Sequence, residues 1–187
     1  MNYPTGTGQL LAELSDGIAT VTFSNPAKRN AITREMRSAL PGLLGRLNED
    51  GDVRVVVVTG AGDKAFTAGA DISEFGEQRT SPEARAEFDR GQAAVAAAWA
   101  SLQKPVIAMI RGFCLGGGLS VALQADIRIA AEGSQFGIPA ARLGLGFGFA
   151  GVTTLMTLIG PAWTAEVLAE LGYPAEEIGR LREQGVI

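Results

Sequence analysis

Two short segments of small residues carry the chemistry of this chain. The first, Gly112 to Gly118 (GFCLGGG), lies between a buried apolar strand and an apolar helix. Its three consecutive glycines leave backbone N–H groups uncovered at a helix N-terminus, where negative charge can be held without a charged side chain. The second, Ala65 to Asp71 (AFTAGAD), follows another buried strand. Both loops sit at the carboxyl ends of parallel strands, where α/β sheets place their ligands. Together they offer two amide donors, those of Ala70 and Gly117, for a single oxygen, which is the layout of an oxyanion hole. Taken alone, Gly116 to Gly118 have an alternative reading, that they only let the helix pack closely on its neighbour.

Composition narrows what that hole could serve. The chain has 187 residues, 47% apolar and 19% charged, which suits one globular domain with a real core. A net charge of −4, with Lys and Arg scattered, argues against nucleic acid as a partner. There is no histidine. That excludes Ser-His-Asp and Cys-His catalysis, His-ligated zinc and a His general base; no metal site is expected. The single cysteine, Cys114, rules out an internal disulfide. Met1 to Gly6 is polar, unlike a signal peptide, and no apolar run reaches the roughly 18 residues of a membrane span. The expectation is a cytoplasmic protein with no membrane partner.

The elements that must position these loops follow from periodicity. Leu10 to Leu14 and Ile18 to Phe23 read as strands joined by the hairpin turn Asp16-Gly17. Thr33 caps a helix running to about Leu47, weakened in its middle by Pro41 and Gly42. Val53 to Thr59 is a buried parallel-type strand, and residues 60–72 read as a loop. Ser81-Pro82 starts an Ala-rich helix reaching about Gln103. Val106 to Ile110 is a strand, Gly117 to about Gln124 a helix, and Asp126 to Ala130 a short strand. Helices are expected over 150–159, 162–171 and about 175–184. Alternating strands and helices form a right-handed βαβ series.

Other motifs are weaker. Gly146 to Gly151 matches G-x-G-x-x-G, but no apolar strand precedes it, so it reads as a turn feeding a helix rather than a dinucleotide site. Lys28 and Arg29 are either solvated charges or contacts to the phosphates of a nucleotide-bearing substrate. Arg142 reads as structural. Asp71 caps a helix or anchors its loop.

Five segments, in order and spacing, carry a family resemblance: Asn25 to Ala31 (NPAKRNA), Val55 to Ile72, Lys104 to Ala108 (KPVIA), Gly112 to Gly118, and Ala125 to Ala131 (ADIRIAA) with Phe136 to Pro139 (FGIP). Over roughly residues 10–165 the chain resembles the enoyl-CoA hydratase/isomerase (crotonase) family. The resemblance implies an α/β fold, a spiral of ββα units with a shortened helical C-terminus. It divides into a core over 1–160 that binds acyl-CoA and a helical tail over 161–187. It implies an acyl-CoA thioester as partner, with coenzyme A entering as part of the substrate and no separate cofactor. Lyase or isomerase chemistry in fatty acid metabolism and a homotrimer or hexamer are further implications. By position, the thioester oxygen lies between the amides of Ala70 and Gly117. Lys28 and Ala31 lie by the CoA nucleotide, Ala68, Asp71 and Ile72 by the pantetheine and adenine, and Phe113 and Pro139 by the acyl pocket.

Two departures qualify that expectation. Hydratases of the family use two glutamates to handle the added water. Ser120 stands at the first position and Ala140 at the second, and Gly148 replaces a further acidic position of some relatives. Two-glutamate hydration is therefore not expected, and Ser120 is left to orient a water or a substrate group. The other departure is at the end of the chain. Relatives continue for some 70 to 90 residues beyond Ile187, with helices that cover the acyl pocket. Thr164 to Ile187 instead resembles the C-terminal tail of class III CoA-transferases, or reads as an ordinary amphipathic helix pair. A fusion or truncation would account for both. A non-catalytic acyl-CoA-binding protein or partner-dependent subunit is the alternative to an enzyme.

Overall fold

In the computed structural model, residues 1–74, 81–138, 149–170 and 176 are described. The strands are β1 (Leu10–Ser15), β2 (Ile18–Phe23), β3 (Val55–Gly60), β4 (Ala65–Thr67), β5 (Val106–Ile110), β6 (Phe113–Leu115), β7 (Ile127–Ala130) and β8 (Gln135–Gly137). The helices are α1 (Arg34–Glu49), α2 (Pro82–Ser101), α3 (Gly117–Ala122) and α4 (Phe149–Glu170), with 3-10 turns at Pro26–Lys28 and Ile72–Glu74. In chain order the pattern is strand, strand, helix, repeated. This is the spiral of ββα units that the resemblance implies.

From the second repeat onward, the first strand of each repeat joins one sheet and the second strand another. The larger has the order β1-β2-β3-β5-β7, and the smaller β4-β6-β8. β1 and β2 pair antiparallel across Asp16-Gly17. Both turn residues have positive φ (53° and 82°), as a tight two-residue hairpin requires. From β2 onward the large sheet is parallel, with Val21 opposite Val58 and Val58 opposite Ala108. Val56, Val58, Ala108 and Ile110 join Met36, Leu40, Leu43, Leu44 and Leu47 of α1 in one apolar core. On β7, at the sheet edge, Ile127 and Ile129 stand 54% and 58% exposed.

The helix caps act as the sequence predicts. Thr33 Oγ1 accepts from Met36 N and Ser81 Oγ from Ala84 N, closing the first turns of α1 and α2. Pro41 does not interrupt α1, which runs on to Glu49 because Leu43, Leu44 and Leu47 are buried beyond it. The α4 span is two helices meeting at a kink at Gly160, whose φ of 79° is non-helical, in keeping with the helices expected over 150–159 and 162–171. The third expected helix, about 175–184, lies outside the described residues except for Glu176. The loop expected over 60–72 is corrected: it contains β4 and the second 3-10 turn. Among the described residues no helix is long and apolar enough to cross a membrane.

Candidate functional site

Parallel pairing in the small sheet builds the site. Ala65 lies opposite Phe113 and Thr67 opposite Cys114, so the carboxyl ends of β4 and β6 come out side by side. The strands delivering the two loops are therefore these short ones, not the long strands of the large sheet. Beyond Thr67 the chain runs through Ala68 and Gly69 to Ala70; beyond Leu115 it runs through Gly116 to Gly117.

Ala70 then pairs with Ile32 in an isolated parallel bridge. The flanking groups make its bonds: Ile32 N donates to Gly69 O at 2.7 Å and Asp71 N to Ile32 O at 3.0 Å. That pattern turns the N–H of Ala70 itself away from Ile32. Gly117 lies nearby, since a Cβ placed on it would stand 3.5 Å from Ala70 N. The Gly117 amide opens α3, where an N–H has no acceptor within the helix. Neither amide is used by the surrounding turns and loops of the described residues.

The glycine run serves both purposes read from it, at different residues. A Cβ on Gly118 would come within 2.3 Å of Thr67 O, so α3 lies directly on β4. Gly117 carries the uncommitted amide. On the facing loop, Gly69 has a φ of 94°, and a Cβ there would meet Gly117 N at 2.9 Å. The close approach of the two loops thus needs glycine on each.

Beside the two amides opens a pocket of about 170 Å³. Gly117, Ser120, Val121 and Gln124 present one face of the α3 segment to it, at helical spacing i, i+3, i+4, i+7. Gln92, Val95, Ala96 and Trp99 repeat that spacing on α2, and Arg37 and Leu40 complete the wall from α1. Ser120 is half-buried, and among the described residues its Oγ reaches Gly116 O, at 3.5 Å. No carboxylate lines the pocket among the described residues. A serine without a base to take its proton is a poor nucleophile.

The wall residues Arg37, Gln92, Trp99 and Gln124 were not anticipated. A signal existed for Arg37: it falls at helical spacing with Leu40, Leu44 and Leu47, placing a cation on an apolar face. The spacing of Gln92 and Trp99 was hidden within an alanine-rich run.

Lys28, Ala31, Ala68, Asp71 and Ile72, also expected at the site, form a second cluster beside the two amides. Lys28 Nζ donates to Asp71 Oδ2 at 2.7 Å and to Ser73 Oγ at 2.9 Å. Asp71 Oδ1 accepts from Ser73 N at 3.0 Å and from its hydroxyl at 2.7 Å, so Asp71 both caps the 3-10 turn and anchors the loop. Ala68 N donates to Arg29 O and Ala31 N to Lys28 O, tying the two loops together. Ile72 is exposed at the edge of this cluster. Phe113 lies apart from the pocket wall, its ring under the Arg29 guanidinium at 4.6 Å. Pro139, Ala140, Arg142 and Gly148 lie outside the described residues, as does most of the G-x-G-x-x-G segment. Burial pushes the Cys114 thiol up to about 12, which leaves it unreactive near neutral pH.

The Lys28 ammonium, followed by the Ser73 hydroxyl, holds the buried Asp71 carboxyl below its ordinary value. A folded-state value below the unfolded one adds stability that is fully present above the unfolded value, about 3.9, and is lost as pH falls through the folded value. Asp71→Asn is expected to cost about 1–2 kcal/mol at pH 7, toward the low end because Lys28 is half exposed. Melting curves at pH 7 and at about pH 2.5 check this. The gap between wild type and variant should shrink at the acid pH, and a gap independent of pH would remove the ion pair from the account.

Comparison with known proteins extends the reading. The family model described as enoyl-CoA hydratase/isomerase matches residues 13–181. A short-chain-enoyl-CoA hydratase of Clostridium acetobutylicum is 37% identical over 159 residues, covering 85% of this chain and 60% of the relative. A crotonyl-CoA hydratase of Syntrophomonas wolfei is 35% identical over 159 residues, with the same coverage of 85% and 60%. Among solved structures, an enoyl-CoA hydratase/isomerase family protein from Hyphomonas neptunium superposes with a TM-score of 0.81 at 34% identity, over 88% of this chain and 63% of that one. An enoyl-CoA hydratase/carnithine racemase from Magnetospirillum magneticum gives 0.81 at 32% identity, over 93% and 66%. The chain thus spans about 60% of the length of these curated relatives.

Proposed function

We propose, for a chain that belongs to the enoyl-CoA hydratase/isomerase family, that it binds an acyl-CoA thioester and stabilises the enolate of the acyl group between the backbone amides of Ala70 and Gly117. The observation that carries this reading is the pair of uncommitted N–H groups, brought together by the β4–β6 pairing and opening on a pocket. Negative charge develops on the thioester oxygen as an enolate forms, and fixed amide dipoles stabilise it without reorganising. No cofactor is needed beyond the coenzyme A that the substrate carries. The Lys28–Asp71 cluster beside the hole faces the CoA portion, with Ala31, Ala68 and Ile72 along the same edge. By family position Phe113 and Pro139 belong to the acyl side, while the Phe113 ring packs under Arg29 and off the wall of this pocket.

The reaction is a lyase or isomerase step rather than two-glutamate hydration. Ser120 and Ala140 hold the positions of the two glutamates, and Ser120 lies on the pocket wall, where it can orient a water or a substrate oxygen. The absence of a lining carboxylate among the described residues also favours a second reading, a non-catalytic acyl-CoA-binding protein or a subunit that acts with a partner. Incubation with a panel of enoyl-CoA and malonyl-type CoA thioesters, followed by mass spectrometry, decides between them. A product from any member supports the enzyme. Binding with no turnover across the panel leaves only the binding protein, and no binding of any thioester overturns both.

A further inference from the structure

The large sheet has one covered face and one open face, and its central strands are apolar on both. Along β1, β2 and β5, and over Val55 to Val58 of β3, buried residues alternate with less buried ones, so the two faces separate cleanly. The inner face carries Val56, Val58, Ala108 and Ile110, packed with the leucines of α1. On the outer face, strand pairing sets Ile18 beside Val55, Val57 beside Ile107, Ile107 beside Ile127 and Met109 beside Ile129. Ile18, Ile127 and Ile129 are exposed, and the others are half-buried. A strand with one face in water alternates apolar and polar residues, whereas a strand covered on both sides reads as a continuous apolar run. β1 follows the first pattern, with Glu13 and Ser15 outward. β3 (VVVVTG) and β5 (VIAMI) follow the second, yet Val55, Val57, Ile107 and Met109 are left partly open.

We propose that this outer face is an interface between two copies of the chain, packed sheet on sheet about a two-fold axis. A second copy brings what the face calls for, a broad aliphatic surface of the same size. Charge favours it. The chain carries a net charge of −4, yet among the outward positions of the five strands only Glu13 is charged. Glu13 lies on β1, the far edge from β7, about 19 Å away at ~4.8 Å per strand. Contact centred on β5 keeps it at the rim. A lipid surface fits less well, because those outward positions include no Lys or Arg to meet anionic headgroups. Area agrees as well. Five strands of up to six residues present roughly 24 by 20 Å in projection, near 500 Å² per copy and about 1,000 Å² for the pair, the size at which specific association begins. The face lies on the far side of the sheet from α1 and the pocket that α1 helps to line, so the proposal stands apart from the thioester reading.

Sedimentation velocity of the full 187-residue chain, from about 1 µM to about 100 µM, tests this. The wild type is expected to run as a dimer at the upper end of that range. Changing Ile127→Asp and Ile129→Asp together should weaken association by about 100-fold or more, because each copy would bury two unpaired carboxylates. Should the double variant fail to fold, Ile129→Lys alone replaces it and should weaken the dimer in the same direction. A larger even assembly that these changes split into halves also supports the interface. A wild type that stays monomeric at about 100 µM, or that forms an assembly of odd order such as a trimer, overturns the proposal. A dimer that the folded variants leave intact overturns it too. Monomers that bind neutral phosphatidylcholine vesicles, and lose that binding in the variants, overturn it in favour of a lipid surface.

Discussion

Gly117→Pro should lower turnover of any processed thioester by about 10²–10³-fold, the loss that follows removal of one oxyanion donor. Proline has no N–H and is tolerated at the first position of a helix, which is where Gly117 stands. Gly116 before it has a φ of 53° and lies outside the right-handed helical region that a following proline disfavours. The variant therefore removes a donor with little cost to the fold. Gly117→Ala is the control. It keeps the N–H, and its Cβ meets Ala70 N at 3.5 Å, an ordinary contact. Alanine should retain most of the rate that proline loses. A second readout does not depend on turnover: the infrared stretch of a ¹³C-labelled thioester carbonyl should move to lower frequency on binding to wild type. In Gly117→Pro that shift should be smaller. If turnover and carbonyl shift both survive the proline, the oxygen is not held at this amide.

The two loops that carry Ala70 and Gly117 stood out in the sequence because small residues after apolar strands are a local signal. Strands with long apolar or alternating runs were legible for the same reason, and Ile18–Phe23 and Val106–Ile110 match their expected bounds. The small sheet was not. β4, β6 and β8 have three residues each, too few to show a period of two, and they exist because their partners lie far away in sequence. Missing that sheet hid why Ala70 and Gly117 meet. The helix expected from Thr33 to about Leu47 runs through Pro41, because burial of the leucines beyond it outweighs the lost hydrogen bond. The pocket wall was illegible for a second reason. It is assembled from single faces of three helices, and only tertiary packing shows that Arg37, Trp99 and Ser120 share one cavity.

Asn30→Ala is expected to be among the most destabilising single changes in the chain, because the side chain joins three segments that position β4. Asn30 is 1% exposed. Its Nδ2 donates to Ala61 O at 2.9 Å and to Ala65 O at 2.7 Å, and its Oδ1 accepts from Asn25 N at 3.0 Å. One amide thus fixes the 25–31 loop to the end of β3 and the start of β4, the strand that leads to Ala70. Its φ of 56° is a left-handed conformation that asparagine tolerates and alanine does not. Two buried groups and one half-buried group that lose this partner, with added backbone strain, come to about 3–5 kcal/mol. For a chain of this size that lowers the melting temperature by roughly 6–20 °C. Asn30→Gly separates the two contributions: glycine accepts the backbone angle, so it should recover the strain and keep the hydrogen-bond loss. Denaturant titration of the three proteins provides the test. A loss below about 1 kcal/mol in Asn30→Ala, the level of an ordinary substitution, would mean that β4 and its donor loop are held in place by packing instead.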